Sequence, residues 1–192
     1  IILDALLKLR QVCCDPRLVK LPSVKKAGAT SAKLARLMEM LGELVEEGRR
    51  VLVFSQFTSM LALIEERLTA AAIGFVKITG DVRDRATPIK RFQNGEAPVF
   101  LISLKAGGTG LNLTAADTVI LYDPWWNPAV EAQAVDRSHR IGQDKPVFVH
   151  RLVTLQTIEE KMLELQRHKA ALAAGLFDPE AAGPLDITAD DI

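Results

Sequence analysis

Short uninterrupted apolar runs alternate along the chain with longer segments in which apolar residues recur every three or four positions. The runs are typical of strands buried on both faces of a parallel sheet, and the spaced positions are typical of amphipathic helices. The predicted strands are 51–54, 75–78, 99–102, 118–121 and 147–153, and the predicted helices are 1–13, 34–45, 59–72, 86–93, 129–138 and 157–174. This alternation predicts an α/β fold, a doubly wound parallel sheet with flanking helices and a helical extension at each end.

The two terminal helices each show an apolar stripe. In the first helix the stripe is Ile2, Leu6, Leu9 and Cys13, and in the last helix it is Ile158, Met162 and Leu165. Residues 22–30 lack any periodicity and predict an exposed connector, after which Ser31 is the expected helix cap. The predicted organisation is a leader helix and connector (1–30), the α/β core (31–155), a bracing helix (156–176) and a disordered acidic tail (177–192).

Composition places the chain among ordinary globular domains. Hydrophobic residues make up 48% and charged residues 25%, and no apolar run approaches the length needed to span a bilayer. The 24 basic and 24 acidic residues balance, but five of the acids lie after Leu176 with no basic residue among them. The acidic tail therefore offsets a small net positive charge on the rest of the chain. Cys13 and Cys14 are neighbours that match no metal-site spacing, so we expect a reducing compartment and no metal site.

Three turns at the carboxyl ends of predicted strands are candidates for ligand contact, because ligands of open parallel sheets gather there. The first is Ser55-Gln56-Phe57, where a hydroxyl, an amide and an aromatic ring follow a buried run. Ser55 is also a common type of helix cap, and the local sequence leaves that alternative open.

The second turn runs from Ser103 to Asn112 and is rich in glycine. Gly107, Gly108 and Gly110 allow close approach of the backbone to a partner and direct several N–H groups the same way, which suits phosphate oxygens. Lys105 adds positive charge. A sharp turn that needs positive φ is the alternative. The segment is not a Walker A loop, since that motif occurs nowhere in the chain.

The third candidate spaces Gln133, Arg137 and Arg140 at intervals of four and three residues. On a helix these side chains share one face, so two guanidinium groups could converge on a single anion. A solvated charged face is the competing interpretation, because Glu131 and Asp136 could pair with the arginines locally.

The only two tryptophans, Trp125 and Trp126, are bracketed by Pro124 and Pro128 in a predicted loop. An exposed tryptophan indicates a contact surface, and packing of one of the two against the sheet is the alternative. His139 has no nucleophile or carboxylate pair at fixed spacing, so we do not assign it a catalytic role.

In this order the segments resemble the C-terminal motor lobe of Swi/Snf-type ATPases in helicase superfamily two. VLVFSQF resembles helicase motif four, SLKAGGTGLNLTAADTVILYDPWWNP resembles motif five, and EAQAVDRSHRIGQ resembles motif six. LLKLRQVCCDPRLV and TIEEKMLELQ resemble the usual flanks. The likeness covers about residues 1–175. The segment from Thr79 to Phe92 looks two residues shorter than the commoner form and resembles bacterial members.

The resemblance implies a RecA-like lobe that faces an N-terminal lobe across a cleft for ATP and Mg²⁺, with double-stranded DNA crossing both lobes. Arg137 and Arg140 would be arginine fingers, and Gln133 would help to arrange them. Gly108, Gly110 and Asn112 would lie near the nucleotide. The implied DNA contacts are Ser55, Gln56, Arg85, Ser103, Lys105, Gly107 and Trp126.

The resemblance also implies that half of the active site is elsewhere. The Walker lysine and the Asp-Glu pair of these ATPases belong to the N-terminal lobe, and the dipeptide Asp-Glu does not occur in this chain. We therefore expect negligible ATPase activity from this chain alone. Bacterial analogy adds RNA polymerase or nucleoid proteins as expected partners, and a cytoplasmic, nucleoid-associated location without membrane contact.

Two other functions remain open from the sequence. One is a binding module that holds DNA or RNA polymerase without catalysis, and the other is a lobe of a strand-separating helicase. A dinucleotide-binding dehydrogenase is a weaker alternative, because the glycine cluster follows a middle strand and lacks the Gly-x-Gly-x-x-Gly spacing.

Overall fold

Five parallel strands form one sheet. The computed structural model describes residues 2–19, 30–80, 82–107, 111–136 and 146–177. The strands are β1 (Val51–Ser55), β2 (Phe75–Ile78), β3 (Val99–Ser103), β4 (Thr118–Leu121) and β5 (Phe148–Arg151). Their order across the sheet is β2-β3-β1-β4-β5, and every neighbouring pair is parallel. The predicted parallel α/β sheet is confirmed.

Helices precede, connect and follow the strands. They are α1 (Ile2–Cys14), α2 (Ala32–Glu46), α3 (Thr58–Ala70), α4 (Ala86–Gln93), α5 (Leu104–Gly107), α6 (Pro128–Val135) and α7 (Ile158–Phe177), with a 3₁₀ turn at Pro16–Leu18. Ser31 caps α2, since its Oγ accepts a hydrogen bond of 3.1 Å from the Leu34 backbone N–H. The predicted cap is confirmed. The connector prediction falls largely on residues 20–29, outside the described residues, as does the tail prediction from residue 178 onward.

Side chains of the central strand β1 alternate between two apolar layers. Leu52 and Phe54 pack with Phe92 of α4, whereas Val51 and Val53 pack with the buried side chains of α2 and α3. Burial of each such side chain stabilises the fold by roughly 1.5–3 kcal/mol. All five residues of β1 are buried. The uninterrupted apolar run therefore reflects a strand that is covered on both faces, as expected.

Strand β5 is shorter than predicted. The prediction covered 147–153, but pairing ends at Arg151 because its partner strand β4 ends at Leu121, the residue opposite. β5 lies at the edge of the sheet, and Phe148 remains 44% exposed. An edge strand has only one neighbour and is covered less completely than a central one. One further hydrogen bond, from the Leu152 N–H to the Leu121 carbonyl, follows the last paired residue.

The apolar stripe predicted for α1 does not describe its buried face. Leu9 is 52% exposed, while Arg10 and Cys14 are buried at 6% and 0% exposure. Arg10 lies against the loop that follows β4, where it donates a hydrogen bond to the Pro124 carbonyl, whereas Cys14 packs in the apolar layer of α2 and α3. Polar and aromatic partners in that loop, together with the apolar layer around Cys14, therefore determine the buried face of α1.

The prediction for α7 is corrected in the same way. Met162 is buried, as expected, but Leu165 is 43% exposed, and the other buried positions of the helix are Glu159 and Gln166. These two polar side chains lie on one face with Met162 at helical spacing. Each has hydrogen-bond partners outside α7, so this face is fastened by polar contacts to the core.

A buried ion pair joins the beginnings of α2 and α7. The Lys33 ammonium donates to both carboxylate oxygens of Glu159, at 2.6 and 2.5 Å, and the two side chains are only 6% and 1% exposed. Lys33 also donates to the carbonyl of Tyr122, just after β4. Glu159 also accepts from the Thr154 backbone N–H at 2.7 Å. The bracing helix is thereby tied to the carboxyl end of the sheet.

Candidate functional site

Three adjacent strands end at the same edge of the sheet. β3 and β4 lie on either side of β1, and Ser55 at the end of β1 is in register with Ser103 at the end of β3. Beyond β4, the Tyr122 backbone N–H donates to the Phe54 carbonyl. The segments that follow these strands therefore lie side by side. Together with the last residues of the strands, they carry six of the predicted DNA-contact residues, Ser55, Gln56, Ser103, Lys105, Gly107 and Trp126.

Ser55 and Asp123 form a buried hydrogen-bonded pair at this edge. The Ser55 hydroxyl donates to Asp123 Oδ1 at 2.5 Å and accepts from the Phe57 N–H at 3.2 Å. The Gln56 backbone N–H donates to Asp123 Oδ2 at 3.3 Å. Ser55 is fully buried, so its hydroxyl faces Asp123 instead of solvent. The capping alternative is not supported in full, because the hydroxyl accepts from Phe57, the residue before α3, and α3 itself has no side-chain cap.

The side chain of Gln56 differs from that of Ser55. Its amide nitrogen Nε2 is buried and has no hydrogen-bond partner among the described residues. Buried polar groups in folded proteins almost always have a partner, and the Gln56 side chain lies near the Asp123 carboxylate, whose pKa it lowers. Of the Ser55-Gln56 pair, Gln56 is the residue that stays partly exposed at this edge.

Asp123 titrates unusually late for an aspartate. Complete burial raises its pKa to about 6, against the stabilising hydrogen bonds from Ser55 and from the Gln56 backbone. The native state therefore binds a proton over a range in which the unfolded chain, with a pKa of 3.8, does not. The free energy of unfolding consequently falls as the pH rises from about 4 to about 6. Above that range the full cost of burying the ionised Asp123 carboxylate is present.

We expect this titration to be visible in the Asp123→Asn variant. Between pH 4 and pH 7 the free energy of unfolding of the wild type should fall, relative to that of the variant, by up to about 3 kcal/mol. Urea unfolding at each pH measures the difference. Asp4→Asn, which changes an exposed carboxylate on α1, should show a pH-dependent difference below about 0.5 kcal/mol. A pH-independent difference for Asp123→Asn would contradict the buried titration.

The turn after β3 presents one cation. Ser103 is almost fully buried, and its Oγ accepts from the Ala106 N–H at 3.3 Å at the beginning of α5. Lys105, one turn along, is exposed. Asn112 is exposed too, and its carbonyl accepts from Gln93 Nε2 at 3.0 Å. Gly107 ends α5, whereas Gly108 and Gly110 lie outside the described residues. The arrangement of several backbone N–H groups pointing the same way in this turn stays a prediction.

The tryptophan loop, residues 123–127, lies between β4 and α6. Trp125 is half-buried and packs against the apolar layer of Leu52 and Phe54, so the packing alternative applies to this one of the two tryptophans. Trp126 is half-buried and lies within 5.5 Å of the Arg10 guanidinium, measured to the ring centre. The two neighbouring rings therefore have different surroundings.

A buried carboxylate fastens this loop to two helices. Glu131 of α6, 2% exposed, accepts from the Trp125 N–H and from Gln166 Nε2 of α7, both at 2.9 Å. Gln166 also donates to the Trp125 carbonyl. The second carboxylate oxygen of Glu131 accepts from Arg151 Nε at 3.1 Å. Glu131 thus pairs with Arg151 across the fold, while the alternative of a local pair with Arg137 or Arg140 falls outside the described residues.

The predicted arginine fingers lie beyond the end of α6. Gln133 is exposed on α6, and the described part of this segment ends at Asp136. Arg137 and Arg140 lie outside the described residues, so their convergence on one anion stays a prediction. Arg85 lies at the beginning of α4, on the loop that follows the edge strand β2, and is half-buried.

Sequence reasoning missed three residues of this edge: Arg10, Asp123 and Glu131. Asp123 could have been found, because it follows a buried strand as Ser55 does. Arg10 and Glu131 carry no local signal, since their partners are far away in sequence. Among the described residues, no group of three or more His, Cys, Asp or Glu side chains could hold a metal ion. None of the described helices is long and apolar enough to cross a membrane.

The parallel sheet with this strand order, together with polar strand ends at one edge, defines a RecA-like lobe. Residues 32–142 match the model of the helicase conserved C-terminal domain. The chain therefore belongs to the family of helicase conserved C-terminal domains.

Similar proteins come from plants and fungi. Protein CHROMATIN REMODELING 24 of Arabidopsis thaliana is 46% identical over 150 residues, which is 77% of this chain and 14% of that protein. The chromatin-remodeling ATPase INO80 of Candida albicans is 44% identical over 154 residues, which is 79% of this chain and 11% of that protein. This chain thus spans about a tenth to a seventh of the length of these relatives.

A solved structure shares the fold. The crystal structure of the C-terminal part of the Fun30 ATPase domain superposes with a TM-score of 0.68 at 33% sequence identity. The match covers 83% of this chain and 53% of that chain. The RecA-like architecture predicted from the motifs is confirmed.

Proposed function

We propose that this chain is one half of an ATP-driven motor on double-stranded DNA, namely the C-terminal lobe of a translocase that remodels protein–DNA complexes. The observation that carries the proposal is the placement of Gln56, Lys105 and Trp126 at the ends of three adjacent parallel strands. An amide donor, a cation and an aromatic ring at one edge suit a sugar–phosphate backbone. The chromatin-remodelling names of the relatives support the same class of target.

The nucleotide is proposed to bind between this lobe and an N-terminal lobe. Arg137 and Arg140 would stabilise the negative charge that develops on the transferring γ-phosphoryl group, and Gln133 would arrange them. Asn112, with Gly108 and Gly110, would lie near the nucleotide. ATP would carry Mg²⁺, and we assign no residue of this chain to the metal. Phosphoryl transfer depends mostly on positioning and charge stabilisation, so two arginines can make a large contribution without any covalent step.

The DNA contacts are proposed to be made to the backbone, not to base edges. Of the predicted contacts, Lys105 is exposed, whereas Ser55 and Ser103 are buried and hydrogen-bonded within the lobe. We therefore propose that the two serines shape the surface, and that Gln56, Lys105 and Trp126 touch the duplex together with Arg85 and the backbone at Gly107. Such contacts would give salt-sensitive and nearly sequence-independent binding.

Removing the Lys105 charge should change the salt dependence of duplex binding. We expect Lys105→Gln to reduce the slope of log affinity against log salt by about 1, with a similar loss of affinity for unrelated sequences. Fluorescence anisotropy of a labelled duplex measures both. Lys90→Gln, an exposed lysine in the second half of α4, is the matched control and should leave the slope unchanged. An unchanged slope for Lys105→Gln would contradict a contact between Lys105 and the duplex phosphates.

The partners that bacterial analogy suggested gain no support from these relatives. RNA polymerase, nucleoid proteins and a bacterial nucleoid stay predictions, while chromatin is the target that the plant and fungal names favour. Strand displacement by a protein that carries both lobes separates a translocase from a strand-separating helicase. A translocase hydrolyses ATP on a duplex without releasing a single strand.

A further inference from the structure

Arg10 of α1 occupies a pocket built from the rings of Phe57, Trp125 and Trp126. Its guanidinium carbon lies 5.8, 5.7 and 5.5 Å from the three ring centres, and one of its N–H groups donates to the Pro124 carbonyl at 3.2 Å. The residue is 6% exposed. A side chain from outside the α/β core thus reaches both tryptophans of the edge proposed to contact DNA.

The pocket suits a buried cation. Burial lowers the pKa of Arg10, and the nearby Asp123 carboxylate opposes that effect. Arginine nevertheless stays protonated in proteins, so the charge has to be balanced locally. Ring faces within about 6 Å and a carbonyl oxygen supply negative potential in the directions that water would otherwise occupy. A neutral side chain of equal volume would fill the space but attract neither the rings nor the carbonyl.

The two tryptophans depend on Arg10 to different extents. The backbone of Trp125 is fixed on both sides, because its N–H donates to Glu131 and its carbonyl accepts from Gln166. Its ring also packs against the core. The half-buried Trp126 ring lies 5.5 Å from the Arg10 guanidinium and, unlike Trp125, belongs to neither apolar layer of the described residues. Loss of the guanidinium should therefore release the Trp126 ring more than the Trp125 ring.

We propose that Arg10 is a positioning residue that sets the orientation of Trp126 at the proposed duplex-contacting edge and links α1 to that edge. The part of the inference that concerns DNA rests on the function proposed above. The part that concerns the tryptophan ring does not, and it can be measured without DNA.

The first arm of the test uses the fact that the chain has two tryptophans, both in this loop. In a Trp125→Phe background, Trp126 is the single tryptophan, and its emission and acrylamide quenching report on this ring alone. Arg10→Met should raise the quenching of Trp126. Arg10→Lys keeps a cation near the rings, so its quenching should lie between that of Arg10→Met and that of the background with Arg10 intact. Lys8→Met, on an exposed position of α1, is the matched control and should match the background.

The second arm measures duplex binding by the wild-type chain and the same position 10 variants. Loss of the guanidinium should weaken binding about five-fold, with partial rescue in Arg10→Lys. Thermal unfolding followed by circular dichroism shows whether a variant is folded at the measuring temperature. If Arg10→Met is unfolded there, the comparison of Arg10→Lys with the background decides.

The outcomes separate the two proposals. If Arg10→Met is folded and its Trp126 quenching is unchanged, the positioning role is overturned. If Arg10→Met is unfolded, unchanged Trp126 quenching in Arg10→Lys overturns it. If quenching rises and binding weakens together, the proposal is supported. If the wild-type chain does not bind the duplex, the proposed function fails, while the quenching arm still decides whether Arg10 positions Trp126.

Discussion

Replacement of Arg140 by alanine is expected to lower DNA-stimulated ATP turnover by about 10³-fold or more in a protein that carries this lobe together with an N-terminal lobe. The physical reason is that an arginine finger neutralises charge that appears only as the γ-phosphoryl group transfers, so its loss raises the barrier with little effect on ground-state binding. Steady-state ATP hydrolysis with saturating duplex measures the effect. Arg137→Ala should produce a loss of the same kind.

The control for this prediction is Arg36→Ala. Arg36 is an exposed arginine of α2 that pairs with Glu39 at 3.1 Å, and its loss should leave turnover unchanged. Duplex affinity measured on the same Arg140→Ala sample separates a catalytic defect from a binding defect, because the finger role predicts that affinity is retained. Turnover within about ten-fold of the wild type would contradict the finger role.

The second large effect is expected on stability, at the buried pair of Lys33 and Glu159. Lys33→Met should lower the free energy of unfolding by about 3–5 kcal/mol, because it leaves the Glu159 carboxylate buried without its counter-charge. Urea unfolding at pH 7 measures the loss. The double variant Lys33→Met/Glu159→Gln should regain most of it, since the buried charge is gone and Gln still offers an acceptor to the Thr154 N–H.

A surface pair provides the comparison for Lys33. Arg36→Met removes the partner of Glu39, with side chains that are 57% and 64% exposed, and should change stability by no more than about 0.5 kcal/mol. If Lys33→Met were as mild as Arg36→Met, the attachment of α7 to the core would not depend on this ion pair. The apolar contacts of Met162 would then be the main attachment.

The positions of the strands could be predicted because they depend on local pattern. Val51 to Phe54 is apolar at every position, and only a strand covered on both faces keeps such a run in a short segment. The order β2-β3-β1-β4-β5 could not be predicted, because alternation of strands and helices fixes parallel pairing but not which strands become neighbours. The sequence predicted Ser55 and Ser103 in turns directly after two strands, and the structure has them as the last residues of β1 and β3, in register with each other.

The faces of α1 and α7 could not be predicted, because polar partners distant in sequence determine them. Arg10 is buried among rings that lie 47 to 116 positions away, and the helical stripe of leucines gave no sign of it. Likewise Glu131 pairs with Arg151 and Gln166, which lie 20 and 35 positions further along the chain. The periodicity of apolar residues predicts which apolar side chains are buried, but it carries no information on a buried polar network.

The measurement that tests the central claim most directly is ATP turnover by a protein that carries this lobe and an N-terminal lobe, with no DNA, with single-stranded DNA and with duplex DNA. A lobe of a double-stranded DNA motor predicts low turnover without DNA and strong stimulation by the duplex, at a salt-sensitive affinity. Turnover that is the same in all three conditions would contradict the motor function and would favour a lobe that binds its partner without coupling to ATP hydrolysis.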